Sequence, residues 1–349
     1  MMTKEERSRA LLDKIEDYEQ TVKAILAFAA IVVHDGNRQS PNSNFGIGRR
    51  MTTSSNNSIA PNTDITPDLV AQHSNNYGIV AEFKKSLSKD PEQWHDIITQ
   101  IRKYNDSLEG WWIDNDQIQT SDTALLIHYT RSRKFIRFLK EQIESNPDLL
   151  TQNSCVIEFQ RSDERMTYFT FRKEWGEIHN EKLNNSLRDA VPVPLENVVK
   201  TFGNLEFYDC RPPMPKLLQR LWQDVFPSRI SEAEYDEELK AYKIDIGVDE
   251  VTEELQSGYG SKALSVSGVP DDRDVEFPRT SWIRNALDWL VANDLAIKSS
   301  TEDDYYYTIH FKAFRKSKDI LEKFIEMHID YIEEQEKDES QIDLFEKPE

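Results

Sequence analysis

Cysteine is scarce in this sequence: only Cys155 and Cys210 occur among 349 residues. Two thiols cannot form a disulfide framework or a four-cysteine zinc site, and such usage is typical of the reducing cytoplasm. The seven histidines are scattered and form no HxxxH pattern, so they do not indicate a zinc site either. We therefore expect a cytoplasmic protein that is stabilised by a hydrophobic core rather than by cross-links.

Long apolar runs are also missing. No stretch approaches the roughly 18 apolar residues that a membrane-spanning helix needs. The first residues, MMTKEERSRALLDKIEDYEQ, carry too many charges for a secretory signal. With a mean hydropathy of −0.68 and 30% charged residues, the composition predicts a globular protein with no membrane partner. Because domains usually contain about 100–200 residues, the length favours two or three of them.

Positive charge is in the minority, since 43 Lys and Arg residues face 63 Asp and Glu residues and give a formal charge of −20. Neutralising phosphates requires cations, so any contact with nucleic acid must be local. Two basic amphipathic segments offer such contacts, at residues 131–140 and 311–319. We take Arg131, Arg133 and Lys134 as candidate DNA-binding residues, and the alternative is that they form an ordinary solvated helix face.

Hydrophobic periodicity predicts an α/β domain over residues 1–150. Its elements in chain order are a helix over 6–33, a flexible loop over 36–63, a hairpin within 66–84, a helix over 91–104, a strand over 123–129 and a basic helix after it. Residues 151–228 then contain a predicted hairpin and a proline cluster, and we interpret them as a sheet extension or a connector.

Residues 229–332 show two helical segments followed by a strand pair and a C-terminal helix over 314–332. This order resembles a winged-helix α+β domain. The acidic segments STEDD and PDDRD lie near the predicted wing and would repel phosphate. Binding of DNA and binding of protein therefore both stay open for this domain.

The residues with the clearest chemical potential lie on the predicted hairpin. If Asp68 begins one strand and Glu82 and Lys84 lie on its partner, strand alternation places Glu82 and Lys84 on one face and Phe83 in the opposite core. Carboxylates are the ligands that Mg²⁺ prefers, and a bound ion polarises phosphate and activates water. Lys84 would orient that water or stabilise developing charge. The alternative is a surface pattern of cross-strand pairs.

At these positions the sequence resembles the PD-(D/E)XK nuclease superfamily, with Pro67-Asp68 and Glu82-Phe83-Lys84 as the two halves of the motif. The segment QIRKY reproduces the Gln-x-x-x-Tyr signature of the RecB-like branch with Gln100 and Tyr104, which share a helix face. Here the alternative is a solvated helix face. The resemblance covers roughly residues 6–145.

This resemblance implies a restriction-endonuclease-like fold, in which a central mixed sheet is flanked by helices. It also implies a strand between the first helix and Asp68, for which FGIGRRM is the candidate. The implied activity is hydrolysis of DNA with Mg²⁺, or Mn²⁺ in its place, by catalytic Asp68, Glu82 and Lys84. The implied metal ligands are Glu19, Asp68, Glu82 and the Phe83 carbonyl, with Gln100 and Tyr104 supporting the site or the DNA backbone.

The C-terminal segment, residues 333–349, is acidic and predicts a disordered tail. Within it, QIDLF resembles the clamp-binding peptide of bacterial proteins that attach to the replication sliding clamp. The matching residues include Gln341, Ile342, Leu344 and Phe345. The resemblance implies the sliding clamp as a partner, and the alternative is that Leu344 and Phe345 fold back on the C-terminal helix.

The leading hypothesis is thus a Mg²⁺-dependent DNA nuclease, associated with the nucleoid and recruited to replicating DNA in repair, restriction or phage defence. The alternative is a non-catalytic adaptor or sensor with a nuclease-like fold. An ATPase or helicase partner is compatible with the first hypothesis because the chain has no GxxxxGK[ST] phosphate loop. The sequence leaves the choice between endo- and exonuclease and the oligomeric state open.

Overall fold

A computed structural model of the chain describes most of its residues. Among them, no helix combines the length and the apolar character that crossing a membrane requires. Side chains are not described at some positions inside the ordered ranges, including Arg131 and residues 337–345. The described residues are 2–33, 46–48, 51–73, 77–85, 87, 91–105, 108–109, 120–147, 149–150, 154–162, 168–208, 211–260, 277–300, 305–312 and 317–345.

The chain divides into two compact units. The seven-stranded unit contains the described residues of 20–206, and the four-stranded unit contains those of 1–19, 207–260 and 277–345. This division differs from the predicted boundary at residue 150, because strands on both sides of that residue pair in one sheet. Sequence alternation predicted these later strands, and their place in the same sheet agrees with the sheet extension that was one of the two interpretations of residues 151–228.

The seven-stranded unit is mixed α/β. Its main sheet has the order β1-β4-β5-β7-β8-β9-β10, in which β5, β7 and β8 are parallel and the other pairings are antiparallel. Strands β2, β3 and β6 form a small second sheet. The elements are α1 (Lys4–Val33, in this unit from Gln20 onward), β1 (Gly46–Gly48), β2 (Met51–Thr53), β3 (Asp64–Ile65), β4 (Leu69–His73), β5 (Tyr77–Lys84), α2 (Pro91–Asn105), β6 (Leu108–Glu109), β7 (Thr120–His128), α3 (Tyr129–Ser145), β8 (Ser154–Ser162), β9 (Tyr168–Gly176), α4 (Glu181–Arg188), β10 (Val191–Pro194) and α5 (Leu195–Phe202).

Several local predictions are confirmed here. The hairpin is formed by β4 and β5, and α2 begins at Pro91, where the missing N–H of proline costs no helical hydrogen bond. Within the predicted loop over residues 36–63, the candidate strand FGIGRRM contains β1, and a second short strand, β2, begins at its last residue. Polar side chains add to the backbone pairing of β2, since Thr53 Oγ1 accepts from Thr63 N at 2.8 Å and Asn57 Nδ2 donates to the Lys103 carbonyl at 3.0 Å.

The main sheet buries both faces, and the two faces carry different chemistry. On one face, Phe28 of α1 packs against Phe83 and Phe171, with ring centroids 6.0 and 5.6 Å apart. On the other face, Leu125 and Ile127 belong to a core with residues of α2 and α3. Because neighbouring residues in adjacent strands share a face, the pairing of Glu82 with Leu125 and of Lys84 with Ile127 places both polar residues on the α2/α3 face.

The four-stranded unit has an antiparallel sheet of order β11-β12-β14-β13. The two helices and hairpin predicted from the sequence are present as α8, α9, β13 and β14. The core includes Trp222, whose ring lies against Phe226, Phe311 and Phe324. The elements are α6 (Met214–Arg220), a π-helical turn (Leu221–Val225), α7 (Phe226–Ser228), a 3-10 turn (Ile230–Glu232), β11 (Glu234–Asp236), β12 (Ala241–Gly247), α8 (Val248–Tyr259), α9 (Thr280–Ala292), β13 (Ala296–Ser300), β14 (Tyr305–Phe311) and α10 (Ser317–Phe345).

The C-terminal helix is longer than predicted. The sequence predicts disorder from residue 333, whereas α10 is helical to Phe345. Glu, Gln and Lys are good helix formers, and extending an existing helix avoids a new nucleation step. The helix is also held by ion pairs, since Arg7 donates to both Glu336 carboxylate oxygens at 3.1 and 2.9 Å and Lys4 pairs with Asp330 at 2.6 Å.

Candidate active site on the β4–β5 hairpin

The hairpin brings Asp68 next to Glu82. Leu69 of β4 pairs with Ala81 of β5, so Asp68 and Glu82 occupy the next positions of the two chains. Asp68 Oδ2 accepts a hydrogen bond from the Phe83 backbone N–H at 2.8 Å. This bond fixes the Asp68 carboxylate at the open end of the hairpin. The structure thus brings together the two carboxylates that the motif predicts.

Glu82 and Lys84 form an ion pair on one face of β5. Lys84 Nζ lies 2.7 Å from Glu82 Oε1. Glu82 is only 4% exposed, whereas the Lys84 side chain retains 27% of its exposure. A buried carboxylate is costly unless it is paired or hydrogen-bonded, so this position is not an ordinary surface pattern. The amine reaches both the buried carboxylate and solvent.

Helix α2 completes the environment of Glu82 with Gln100 and Tyr104. The Tyr104 hydroxyl donates to Glu82 Oε2 at 3.3 Å, and Gln100 Nε2 donates to the same hydroxyl oxygen at 2.8 Å. Burial raises the pKa of Tyr104, and the charges of Glu82 and Asp68 raise it further. The phenol therefore remains a protonated hydrogen-bond donor. These two residues face the carboxylates and do not form a solvated helix face.

The carboxylate pair fits a magnesium ion in its donor chemistry. Mg²⁺ usually keeps several waters and is bound by one or two carboxylates together with substrate phosphates. Asp68 and Glu82 supply two such groups on adjacent strands. In the described ranges, no group of three or more His, Cys, Asp or Glu residues could hold a metal ion. Of the predicted ligands, the structure therefore groups the two carboxylates of Asp68 and Glu82, and the Phe83 carbonyl stays a predicted third oxygen ligand.

Glu19, the fourth predicted ligand, has a different described partner. It belongs to the four-stranded unit, where its Oε1 accepts from Lys216 Nζ at 2.5 Å. The Lys216 side chain is 7% exposed and therefore needs a counter-charge. The described partner of Glu19 is thus a buried lysine 197 positions away, and its role as a metal ligand stays a prediction.

An open cleft lies against Gln100 and Tyr104, and neither Asp68 nor Glu82 lines it. Its volume is about 410 Å³, within the range of about 300–1,000 Å³ that is common for ligand pockets. Tyr104 lines the cleft and contacts Glu82, and Thr66 lies two residues before Asp68. The cleft therefore opens next to the hairpin end. Its lining residues are Ile65, Thr66, Asp96, Thr99, Gln100, Lys103 and Tyr104.

The predicted DNA-binding residues lie on helix α3. Arg133 and Lys134 are exposed, and the Arg131 side chain lies outside the described part of the structure. Helix α3 packs on the sheet face to which Glu82 and Lys84 belong. The two described cations are thus available to a ligand on that side of the sheet.

Two polar groups were missed by sequence reasoning. Buried Asp122 accepts from the His179 backbone N–H at 2.8 Å and lies 2.8 Å from His179 Nδ1, and burial raises the pKa of this carboxyl. These residues are 57 positions apart and leave no periodic signal. Glu158 accepts from Ser132 Oγ at 2.7 Å and lies 3.5 Å from Arg172. Glu158 could have been recognised from the sequence, because its carboxylate interrupts the apolar strand segment CVIEFQR.

The arrangement has a definite chemical capacity. Two neighbouring carboxylates can bind a divalent cation, and a partly exposed amine beside them can stabilise negative charge on a phosphate. The phenol and the amide on α2 hold one carboxylate in place.

Comparison of the chain with protein-family models, with curated proteins and with solved structures gives no match.

Proposed function

We propose that this protein is a Mg²⁺-dependent nuclease that hydrolyses phosphodiester bonds in DNA. The observation that carries the proposal is the convergence of Asp68, Glu82 and Lys84 at one end of the β4–β5 hairpin. The hydrogen bonds of Gln100 and Tyr104 toward Glu82 support it, because the resemblance to the RecB-like branch implies the same grouping.

The arrangement of elements also supports the proposal. A restriction-endonuclease-like fold implies a strand between the first helix and the motif aspartate, and β1 lies between α1 and Asp68 and pairs with β4. In the four-stranded unit, α8 and α9 are followed by the β13–β14 hairpin, which is the order that a winged-helix domain implies. We include this domain in the proposal as a binding module.

Each site residue has a separate task in the proposed reaction. Asp68 and Glu82, with the Phe83 carbonyl, would hold Mg²⁺, which polarises phosphate and activates water when it is bound. The Lys84 amine orients the attacking water and stabilises negative charge on the phosphate. Tyr104 holds the Glu82 carboxylate, and the Phe83 N–H holds the Asp68 carboxylate, so neither group has to reorganise during the reaction.

The test is cleavage of labelled single-stranded, duplex and forked DNA by the full-length chain. We expect cleavage with Mg²⁺ or Mn²⁺ and none when EDTA replaces the metal, because two carboxylates alone cannot activate water in this way. The size distribution of early products separates endo- from exonucleolytic cleavage. Intact DNA in all three substrates with both metals would overturn the proposal.

A non-catalytic adaptor is the second candidate, and two observations favour it. Both Glu82 carboxylate oxygens already accept bonds from Lys84 and Tyr104, and the net charge of −20 opposes DNA binding. The two candidates differ in metal binding. A nuclease site binds Mn²⁺ in a titration followed by electron paramagnetic resonance and binds it more weakly after Asp68→Asn, whereas an adaptor gives the same titration for both proteins.

We also propose that the C-terminal peptide Gln341, Ile342, Leu344 and Phe345 binds a bacterial sliding clamp. Replacing Leu344 and Phe345 with alanine is expected to weaken clamp binding by at least about 30-fold, because apolar anchors that fill a partner's pocket typically contribute 2 kcal/mol or more. Surface plasmon resonance with immobilised clamp measures the change in affinity, and cleavage of naked DNA should not change.

The matched control is the double variant Glu346→Ala/Lys347→Ala, which lies directly after the peptide and preserves net charge. It should bind the clamp with wild-type affinity. Equal affinity of the Leu344→Ala/Phe345→Ala protein and this control would exclude the peptide as the clamp-binding segment.

A further inference from the structure

The exposed side of helix α3 carries a row of cations in an otherwise acidic protein. These cations form no ion pair with another residue that the structure describes, in contrast to Arg172 and Lys173 of the same unit, which contact Glu174 and Glu177. Acidic residues on the exposed side of α3 occur only toward its C-terminal end. The row consists of Arg133, Lys134, Arg137 and Lys140.

An aromatic ring stands at the beginning of this row. Tyr129, the first residue of α3, is 49% exposed. Tyr129, Arg133, Arg137 and Lys140 follow one another at spacings of four, four and three residues and therefore share one helix face. We call these residues the α3 stripe. With a rise of 1.5 Å per residue, the stripe is about 16 Å long.

The stripe starts at the edge of the sheet where the candidate active site lies. Helix α3 follows β7 directly, and Ile127 near the end of β7 pairs with Lys84 at the end of β5. The buried side of α3, which includes Phe135 and Leu139, packs on the sheet face that carries Glu82 and Lys84. A polymer bound along the stripe therefore has one end near Lys84.

We propose that the α3 stripe binds a single DNA strand, with a base stacked on Tyr129 and phosphates contacting Arg133, Arg137 and Lys140. The inference rests on the proposed nuclease function and gives it a substrate class, namely single-stranded DNA or the single-stranded arm of a fork. An exposed ring can stack only on a base that is not already stacked in a duplex. Cations three or four residues apart lie about 4.5–6 Å apart along the helix, so an extended strand can place successive phosphates against them.

The test measures binding of the full-length protein to a fluorescent single-stranded oligonucleotide and to the duplex of equal length, in EDTA and over a range of salt concentrations. For Arg137→Gln/Lys140→Gln, we expect the slope of log K against log[salt] on the single strand to become shallower by about 1.4, since each lost phosphate contact contributes about 0.7. Tyr129→Ala should bind about tenfold more weakly, and Tyr129→Phe should retain the affinity because it keeps the ring.

The matched control is Arg9→Gln/Lys14→Gln, which removes the same charge from exposed positions of α1. If this control and the stripe variant have the same salt slope, or if Tyr129→Ala binds the single strand as tightly as wild type, the proposal is overturned. Tighter binding of duplex than of single strand also overturns it. The binding assay contains EDTA and therefore does not depend on cleavage. If the stripe variants weaken binding but the wild-type protein cleaves no DNA with Mg²⁺, the proposed nuclease function is rejected and the proposed DNA-binding role of the stripe is kept.

Discussion

Lys84→Ala is expected to lower the rate of DNA cleavage by about 10²–10³-fold, the usual effect of removing one preorganised group that stabilises developing charge. The Lys84 ammonium group lies 2.7 Å from Glu82 and remains partly open to solvent, so it can face both the carboxylate site and a phosphate. A single-turnover assay with Mg²⁺ measures the rate of the chemical step. The loss should appear in that rate rather than in DNA affinity.

The controls for Lys84 separate its charge from its structural role. Lys85→Ala removes the same charge one position along the chain and should cleave at a rate close to that of wild type. Lys84→Gln keeps a hydrogen-bond donor near buried Glu82, so it should fold normally. Because it lacks the positive charge, it should cleave DNA as slowly as Lys84→Ala. Thermal unfolding monitors the fold of each variant. A folded Lys84→Ala protein that cleaves as fast as Lys85→Ala would remove Lys84 from the mechanism.

Asp68→Asn is expected to reduce cleavage by about 10²-fold or more, because a metal ion contributes several kcal/mol of charge stabilisation and each 1.36 kcal/mol corresponds to a factor of ten. The asparagine oxygen can still accept the hydrogen bond that Phe83 N–H donates at 2.8 Å, so the hairpin end should keep its geometry. A Mg²⁺ titration of the cleavage rate should show a midpoint at higher metal concentration.

Asp96→Asn is the matched control for Asp68. Asp96 is an exposed carboxylate that lines the cleft, so its replacement tests whether negative charge in the cleft is sufficient to attract the metal. We expect this variant to keep the wild-type Mg²⁺ midpoint. Equal shifts of the Mg²⁺ midpoint in both variants would show that Asp68 attracts the metal only through its negative charge and does not act as a ligand.

The parts of the site that could be predicted from sequence are those that depend on local geometry. Asp68 and Glu82 meet because a hairpin fixes the pairing of nearby residues, and strand alternation assigns Glu82 and Phe83 to opposite faces. The Tyr104–Glu82 hydrogen bond joins a helix to a strand 22 positions earlier. Periodicity places Tyr104 on a helix face, but only packing against the sheet decides that this face meets Glu82.

Contacts between residues far apart in the chain could not be predicted either, because they too depend on packing and not on local periodicity. Asp122 and His179 are brought together by the fold of strands that have no common local pattern. The strands after residue 150 join the main sheet, as one of the two interpretations of residues 151–228 held, but alternation alone identifies a strand without identifying its neighbour. In the C-terminal segment, composition predicted disorder, but helix propensity and the Arg7–Glu336 ion pair extend α10 beyond the predicted end.

The two outer strands of the main sheet have a consequence for self-association. Strand β1 is only three residues long, and β10, at the other edge, reads Val-Pro-Val-Pro with prolines at 192 and 194. A proline has no N–H to donate to an added strand, and a very short edge offers few backbone groups. Both edges of the main sheet, as far as the structure describes them, thus resist pairing with a strand of another molecule, so a dimer that forms along this sheet would have to use side-chain surfaces.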